Sequence, residues 1–193
     1  MKIAIVGTGI SGLSAAWLLN QSCEIAVFES SDRIGGHSNT VEIAGYPAVD
    51  TGFIVYNTAT YPNLIALFEH LNVETVWTDM SFGVSLEKTG RKKRYEYSGE
   101  ALFAQWQNMF YPAHYAMIKD IIRFFKTAHQ VLDMPYELSL REYLDQNKYS
   151  KAFIQNHIYP MAAAIWSTSS GDIGDFPAKS FVRFFVNHGL LKL

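Results

Sequence analysis

Three glycines near the start of the chain have the spacing of a loop that binds a diphosphate. Gly7, Gly9 and Gly12 form a Gly-x-Gly-x-x-Gly pattern between the apolar run 3–6 and the apolar segment 13–19. Glycine permits a tight turn at the first position, close approach of a ligand at the second, and close packing of a helix on its strand at the third. The free N–H groups of the following helix favour an anion. A strand, a turn and a helix in this order predict a dinucleotide site.

Two side chains extend the chemistry of this site. Ser11, in the first turn of the expected helix, offers a hydroxyl donor to a phosphate. Glu29 ends a second apolar run, 25–28, and lies 20 residues after Gly9, where such a unit carries its acid. The carboxylate would accept hydrogen bonds from both ribose hydroxyls and repel a 2′-phosphate, so NADP is disfavoured. Glu29 alone is typical of a solvated strand end, and only the glycines favour the nucleotide site.

A second glycine turn follows the acid almost at once. Arg33 and the pair Gly35-Gly36 suit a further backbone approach to a long, doubly charged diphosphate. This continuation favours FAD over NAD. His37 comes next, and its imidazole is compatible either with a hydrogen bond to a phosphate or flavin edge or with a structural role beside the turn.

These motifs resemble the FAD-binding half of the flavin-containing amine oxidase, phytoene desaturase and protoporphyrinogen oxidase superfamily. The resemblance rests on the loop 7–12, on Glu29, on the segment 33–36 and on Val49-Asp50-Thr51-Gly52-Phe53. Segments 35–40 and 50–57 are similar, more narrowly, to a bacterial branch known as predicted NAD/FAD-binding or amine oxidase-like proteins. Segments 161–167 and 184–189 extend this similarity across the chain.

The resemblance implies a cofactor, FAD, and a set of contacts to it. Glu29 would hold the adenosine ribose, and Arg33 would lie on the diphosphate side together with Gly35 and Gly36. His37 and Ser38 belong to the same motif, and the segment Thr51, Gly52 and Phe53 would pass near the isoalloxazine ring. Familiar amine oxidases carry arginine where this chain has His37, so the resemblance is specific for FAD and unspecific for the substrate.

The expected function is that of an FAD-dependent oxidoreductase, in which a small-molecule substrate gives a hydride to flavin N5. Two alternatives stay open: a flavin-binding remnant without turnover, and a flavin-dependent isomerase. No catalytic residue and no metal site are assigned. Five aromatic residues are compatible with a cleft for an apolar substrate but are more typical of a core: Tyr159, Trp166, Phe181, Phe184 and Phe185.

The elements that must position these residues indicate an α/β fold. A Rossmann-like FAD-binding βαβ unit of the GR2 type is expected over 1–57. A partial, inserted α+β substrate domain, largely helical, is expected over 58–193, with antiparallel strands at 74–97 and helices at 100–190. Proteins of the resembling family are longer, so we expect an incomplete nucleotide sheet, and a missing C-terminal half or a second copy as partner.

Local signals predict where several of these elements begin and end. Thr60 and Pro62 open a helix through a capping hydroxyl and an early proline. The alternation over 77–87 and over 94–97 predicts two strands that flank the basic run. Met117, Ile118, Ile121, Ile122, Phe125, Ala128 and Leu132 form a helical stripe opposite Lys119, Asp120, Arg123 and Lys126. Ser139 and Glu142 form a capping box, Ser150 begins a helix that Pro160 should kink or end, and Gly189 stops the last helix.

Composition bounds the partners and the compartment. The formal net charge is −2, which argues against nucleic acid as the main partner. The basic run 91–94 is typical of a solvated hairpin tip, with contact to anionic lipid as the minor alternative. A single cysteine, Cys23, fits a reducing compartment. No apolar stretch approaches the roughly 18 residues of a membrane helix, so we expect a cytoplasmic protein.

Overall fold

The computed structural model describes residues 1–87, 94–166 and 172–191. Within it the chain divides into two units, Met1–Thr58 and Ala59–Leu193. The first unit contains the predicted β-α-β arrangement. Strand β1 (Lys2–Val6) leads into helix α1 (Ile10–Leu19), which returns to strand β2 (Glu24–Phe28). The two strands are parallel, with Lys2 opposite Glu24 and Val6 opposite Phe28, so the Rossmann-like prediction is confirmed.

A short hairpin completes the first unit. Strand β3 (Thr40–Val41) pairs antiparallel with β4 (Val49–Asp50). Gly45 lies in the turn between them with φ +82°. Among the described residues, regular sheet in this unit is limited to these two pairs of strands.

The second unit is largely helical and contains one antiparallel hairpin. Strand β5 (Gly83–Leu86) pairs with β6 (Tyr95–Ser98). Its α-helices, as far as the structure describes them, are α2 (Pro62–Leu71), α3 (Pro112–Thr127), α4 (Leu140–Gln146), α5 (Lys151–Phe153), α6 (Tyr159–Trp166) and α7 (Ala178–Asn187). In the described ranges they are connected by three 3₁₀ helices, Trp106–Phe110, Ala128–Asp133 and Asp172–Asp175, and by a π-helix, Ile154–Ile158.

The core of the second unit is aromatic. Phe124 contacts the rings of Phe153, Phe181 and Phe185 at centroid separations of 5.6 to 6.5 Å. All four side chains are fully buried. Trp166 packs on the same cluster, 5.5 Å from Phe181. The aromatic residues of α6 and α7 therefore contribute to a packed core. Of the two interpretations of their pattern, a core and a cleft for an apolar substrate, the packing supports the core.

The buried face of α3 differs from the predicted stripe. Met117, Phe124 and Asp120 are buried, whereas Ile122 is 39% exposed. Asp120 was expected on the polar side, and that expectation is wrong. Its carboxylate accepts a hydrogen bond from the Ser150 amide at 2.7 Å and pairs with Arg123 at 2.9 Å, which satisfies its charge inside the fold.

Pro160 does not end the helix that begins after Ser150. The helix widens into the π segment just before Pro160 and continues as α6. Because proline has no N–H, the carbonyl of Asn156 loses its usual helical donor. The hydroxyl of Tyr97 on β6 donates to that oxygen instead, at 2.8 Å. A contact across the fold thus replaces the missing backbone bond.

Other predicted helix signals have mixed outcomes. The capping box of Ser139 and Glu142 is confirmed. Gly189 follows α7 with φ +67°, as predicted for a helix stop. The early proline of α2 is confirmed, since Pro62 is its first residue, but the N-cap of this helix is Tyr61 and not Thr60.

The hairpin of the second unit is shorter than predicted. Its first strand begins only at Gly83, and residues 73–82 form no strand. Trp77, where the strand was expected to begin, is 93% exposed, because the alternating pattern finds no partner strand there. The basic run 91–94 falls mostly outside the described residues. Of its members, Arg94 pairs with Glu87 at 3.2 Å.

Candidate dinucleotide site

The first glycine loop adopts the tight turn that its sequence predicts. The Gly7 amide donates to the carbonyl of Phe28 at 2.7 Å, which ties the end of β1 to the end of β2. Gly12 lies so close to Gly7 that a Cβ at position 12 would overlap the Gly7 carbonyl. Only glycine therefore lets α1 approach the loop this closely.

The N-terminus of α1 is open to an anion. Gly9 is the N-cap, and no side-chain cap bond forms there. The first N–H groups of a helix lack intrahelical acceptors and carry its positive dipole end. The side chain of Ser11 is exposed in this first turn. The loop thus presents backbone donors and one hydroxyl on the side where a phosphate is expected.

Glu29 is held at the end of β2 by hydrogen bonds from three residues. One carboxylate oxygen accepts from the backbone amide of Thr8 at 2.9 Å and from its hydroxyl. The other oxygen accepts from the amides of Ser30 at 2.8 Å and Ser31 at 3.0 Å. These bonds, above all that of the Thr8 hydroxyl, lower the pKa of Glu29 to about 2. The group is a carboxylate at neutral pH, and a ribose hydroxyl bound there would join five existing donors, the weakest of them the Ser30 hydroxyl at 3.4 Å.

The second glycine turn lies against the first. Gly35 and Gly36 have positive φ, +112° and +60°. A Cβ at Gly36 would stand 2.7 Å from the Cα of Gly9. Two segments that are 27 residues apart in sequence therefore meet through glycine backbones. The two turns thus pack backbone to backbone, and glycine at position 36 permits this close approach.

Arg33 braces the second turn. Its guanidinium donates to the carbonyl oxygens of Gly36 and Ser38, both at 2.8 Å. The side chain is exposed. In this structure Arg33 acts on the loop, and a direct contact with a diphosphate stays a prediction.

The predicted flavin-side segment lies next to the residues after the second turn. The Phe53 amide donates to the His37 carbonyl at 3.3 Å, and a Cβ at Gly52 would overlap that same carbonyl. Thr51 is tied to Asn39 by backbone and side-chain hydrogen bonds of 2.8 to 2.9 Å. The exposed side chains of His37 and Ser38 flank this contact. The structure thus brings both predicted segments together, although their contact with a flavin is untested.

Thr8 is the residue that the sequence pattern missed. It occupies an unspecified position of the glycine motif, yet its side chain contacts both Glu29 and the amide of Gly35. The only available signal was its type, because a threonine hydroxyl both donates and accepts.

The histidines of the second unit belong to no candidate metal site within the described residues. The imidazole of His157 is buried, contacts the Tyr97 hydroxyl at 2.9 Å, and has its pKa lowered to about 4 by burial. Among the described residues, no group of three His, Cys, Asp or Glu side chains is placed to hold a metal ion. Within the same ranges no helix is long and apolar enough to cross a bilayer.

Comparison with known proteins locates the same region. Residues 5–71 match the NAD(P)-binding Rossmann-like domain. Amine oxidase [flavin-containing] A of Sus scrofa is 39% identical over 76 residues, which cover 39% of this chain and 14% of that protein. Putative flavin-containing monoamine oxidase AofH of Mycobacterium tuberculosis is 39% identical over 79 residues, 40% of this chain and 17% of that protein. A 4,4'-diapophytoene desaturase of Staphylococcus aureus is 38% identical over 47 residues, which cover 24% of this chain and 9% of that protein.

Solved structures share the fold over most of the chain. Putrescine oxidase bound to putrescine superposes with a TM-score of 0.57 at 21% identity, covering 100% of this chain and 44% of that one. An oxidoreductase from Methanosarcina mazei gives a TM-score of 0.53 at 18% identity, covering 98% of this chain and 43% of that one. This chain therefore spans less than half the length of these structures.

Proposed function

We propose that this chain binds FAD and acts as an FAD-dependent oxidoreductase or as a part of one. Its N-terminal region is similar to flavin-containing amine oxidases. The observation that carries the proposal is the meeting of two glycine turns, at Gly9 and Gly36, beside the open N-terminus of α1 and the ionised Glu29. The names of the similar proteins support a flavin rather than another dinucleotide.

The residues of the first unit fit the cofactor. The backbone of the first turn is open to a ligand, since a Cβ would meet nothing within 4 Å at Gly7 and only the Cα of Gly36, at 4.0 Å, at Gly9. Backbone donors at the start of α1 and the hydroxyl of Ser11 suit a diphosphate. Glu29 suits the adenosine ribose, and the segment from Thr51 to Phe53 suits the side of the isoalloxazine ring.

The discrimination between cofactors follows from charge. Glu29 keeps its negative charge at every pH well above about 2, and a 2′-phosphate placed beside it would be repelled. A second glycine turn is not needed for NAD alone, whereas it offers a further backbone approach to the longer FAD. We therefore expect binding in the order FAD, then NAD, with NADP weakest.

When FAD is bound, the site would hold a two-electron acceptor for a hydride from the substrate. The protein's own part is to bind and orient. The α1 terminus and Glu29 anchor the nucleotide end, while the hairpin of β3 and β4 carries Thr51 to Phe53. Residues 58–193 are proposed as a portion of the substrate domain. Amines and 4,4'-diapophytoene, which occur in the names of the similar proteins, are the substrates to test.

Calorimetric titration of the purified chain with FAD, NAD and NADP tests the cofactor. We expect FAD to bind most tightly and NADP most weakly. If NADP binds as tightly as NAD, or more tightly, this would contradict the role given to Glu29.

Anaerobic addition of a panel of amines to the FAD-loaded protein then tests the reaction. Bleaching of the flavin supports an oxidoreductase. A redox-neutral product points to an isomerase, and binding without any turnover points to a non-catalytic flavin-binding chain.

A further inference from the structure

Thr8 lies where three parts of the candidate site meet. It is 4% exposed, although it belongs to a loop whose neighbours are largely accessible. Its backbone amide and its hydroxyl both contact the same oxygen of Glu29. Its hydroxyl and its carbonyl both lie within hydrogen-bond distance of the Gly35 amide, at 3.2 and 3.1 Å.

The direction of each hydrogen bond follows from the partners. Glu29 is ionised and offers only acceptors, so the Thr8 hydroxyl donates its proton to the carboxylate. The Gly35 amide offers only a donor, so the same hydroxyl oxygen accepts from it. One hydroxyl group thus connects the acid at the end of β2 with the second glycine turn, and both connections are satisfied.

We propose that Thr8 is a positioning residue that fixes the Glu29 carboxylate and the second glycine turn relative to the first before the cofactor binds. The proposal rests on the FAD site described above. A site whose parts are already in place loses less conformational freedom on binding, and this preorganisation increases affinity. Thr8 contacts other protein groups in this role, and no contact with the cofactor is required.

The hydroxyl, more than the volume of the side chain, carries this role. Valine has nearly the same shape as threonine and fills the same space, but it neither donates to Glu29 nor accepts from Gly35. The bond of the Thr8 hydroxyl is the largest single cause of the lowered pKa of Glu29. Removing it takes away the shortest bond to the carboxylate and leaves the amides of Thr8, Ser30 and Ser31 and the longer contact of the Ser30 hydroxyl, at 3.4 Å.

The test compares Thr8→Val with Thr8→Ser, which retains the hydroxyl. Ser85→Ala is the control, because the Ser85 hydroxyl also donates to a carboxylate, that of Glu96 at 2.7 Å, in the hairpin of the second unit. Two quantities are measured in each protein: the pKa of the Glu29 carboxyl, by carbon-13 NMR titration, and the dissociation constant for FAD.

We expect Thr8→Val to raise the pKa of Glu29 and to weaken FAD binding about 2- to 13-fold, the cost of ordering on binding a side chain that the wild type already holds in place. Thr8→Ser should stay near the wild type in both quantities, and Ser85→Ala should leave both unchanged. Wild-type values in Thr8→Val, or a loss in Thr8→Ser as large as in Thr8→Val, would overturn the proposal.

Two further outcomes separate this proposal from the proposed function. If Thr8→Val raises the pKa of Glu29 yet binds FAD as tightly as the wild type or more tightly, the hydroxyl does not prepare the site and the proposal fails. If the wild-type chain itself does not bind FAD, the proposed function fails. The NMR titration then still decides whether Thr8 holds Glu29, and an unchanged pKa refutes that link.

Discussion

Replacing Gly36 by alanine tests whether the contact between the two glycine turns is needed. The new Cβ would stand 2.7 Å from the Cα of Gly9 and 3.3 Å from its amide nitrogen. Both are backbone atoms, so the contact can be relieved only by moving one turn away from the other. Gly45→Ala is the matched control: Gly45 also has positive φ, +82°, but a Cβ there meets nothing within 4 Å.

The expected magnitude has two parts. Left-handed backbone costs an alanine about 1–2 kcal/mol at either position. The overlap adds about 1–3 kcal/mol at Gly36 alone, as for other overpacked sites. Gly36→Ala should therefore destabilise the protein by about 2–5 kcal/mol and Gly45→Ala by about 1–2 kcal/mol. The two variants differ by the cost of the overlap, about 1–3 kcal/mol. If the second turn moves to relieve this overlap and must move back to bind FAD, the same cost corresponds to about a 5- to 150-fold loss of FAD affinity.

Urea unfolding gives the stability of each variant, and fluorescence titration with FAD gives its affinity. Gly36→Ala should lose affinity under conditions where it is still folded, whereas Gly45→Ala should bind FAD like the wild type. Equal affinities in the two variants would refute the reasoning, because the close approach at Gly36 would then have no part in the cofactor site.

Three further predictions concern the second unit. Tyr97→Phe removes the donor to the Asn156 carbonyl and should lower the free energy of unfolding by about 1–3 kcal/mol, measured by urea unfolding. Asp120→Asn breaks the buried ion pair and weakens the bond to the Ser150 amide, with an expected loss of about 2 kcal/mol in the same assay; an unchanged midpoint would contradict the buried role of this carboxylate. Burial lowers the pKa of His157 from 6.5 to about 4, so the unfolded chain takes up the proton first. The stability that this residue contributes is complete above pH 6.5 and is lost as the pH falls to about 4, by about 3 kcal/mol in all. Unfolding measured across this range should depend less on pH in His157→Phe, and an equal dependence would contradict the assignment.

Local sequence patterns predicted the first unit well. The order of β1, α1 and β2 follows from an apolar run, three glycines and a second apolar run, all within 28 residues. The capping box at Ser139 and Glu142 spans a single helical turn, and the structure confirms it. Such features depend on neighbours in the chain, so their residue types suffice to identify them.

Contacts between distant segments could not be predicted in this way. Asp120 has the charge of a surface residue, and its burial depends on the Ser150 amide, 30 residues later. The role of Thr8 depends on partners 21 and 27 residues away, at a position that the glycine motif leaves unspecified. In each case the partner atom becomes visible only in the folded chain.

The proposed hairpin strand over 77–87 was too long for a similar reason. Alternation of apolar and polar residues permits a strand, but a strand forms only where another supplies hydrogen bonds. Tyr95–Ser98 pairs with Gly83–Leu86, and the register leaves Trp77 without a partner strand.

The most direct test of the FAD site is the visible absorption spectrum of the purified chain after mixing with FAD and removal of free cofactor by gel filtration. The two glycine turns and Glu29 predict that the bands of oxidised flavin stay with the protein and are lost in Gly36→Ala. A folded wild-type chain that elutes colourless would contradict the central claim.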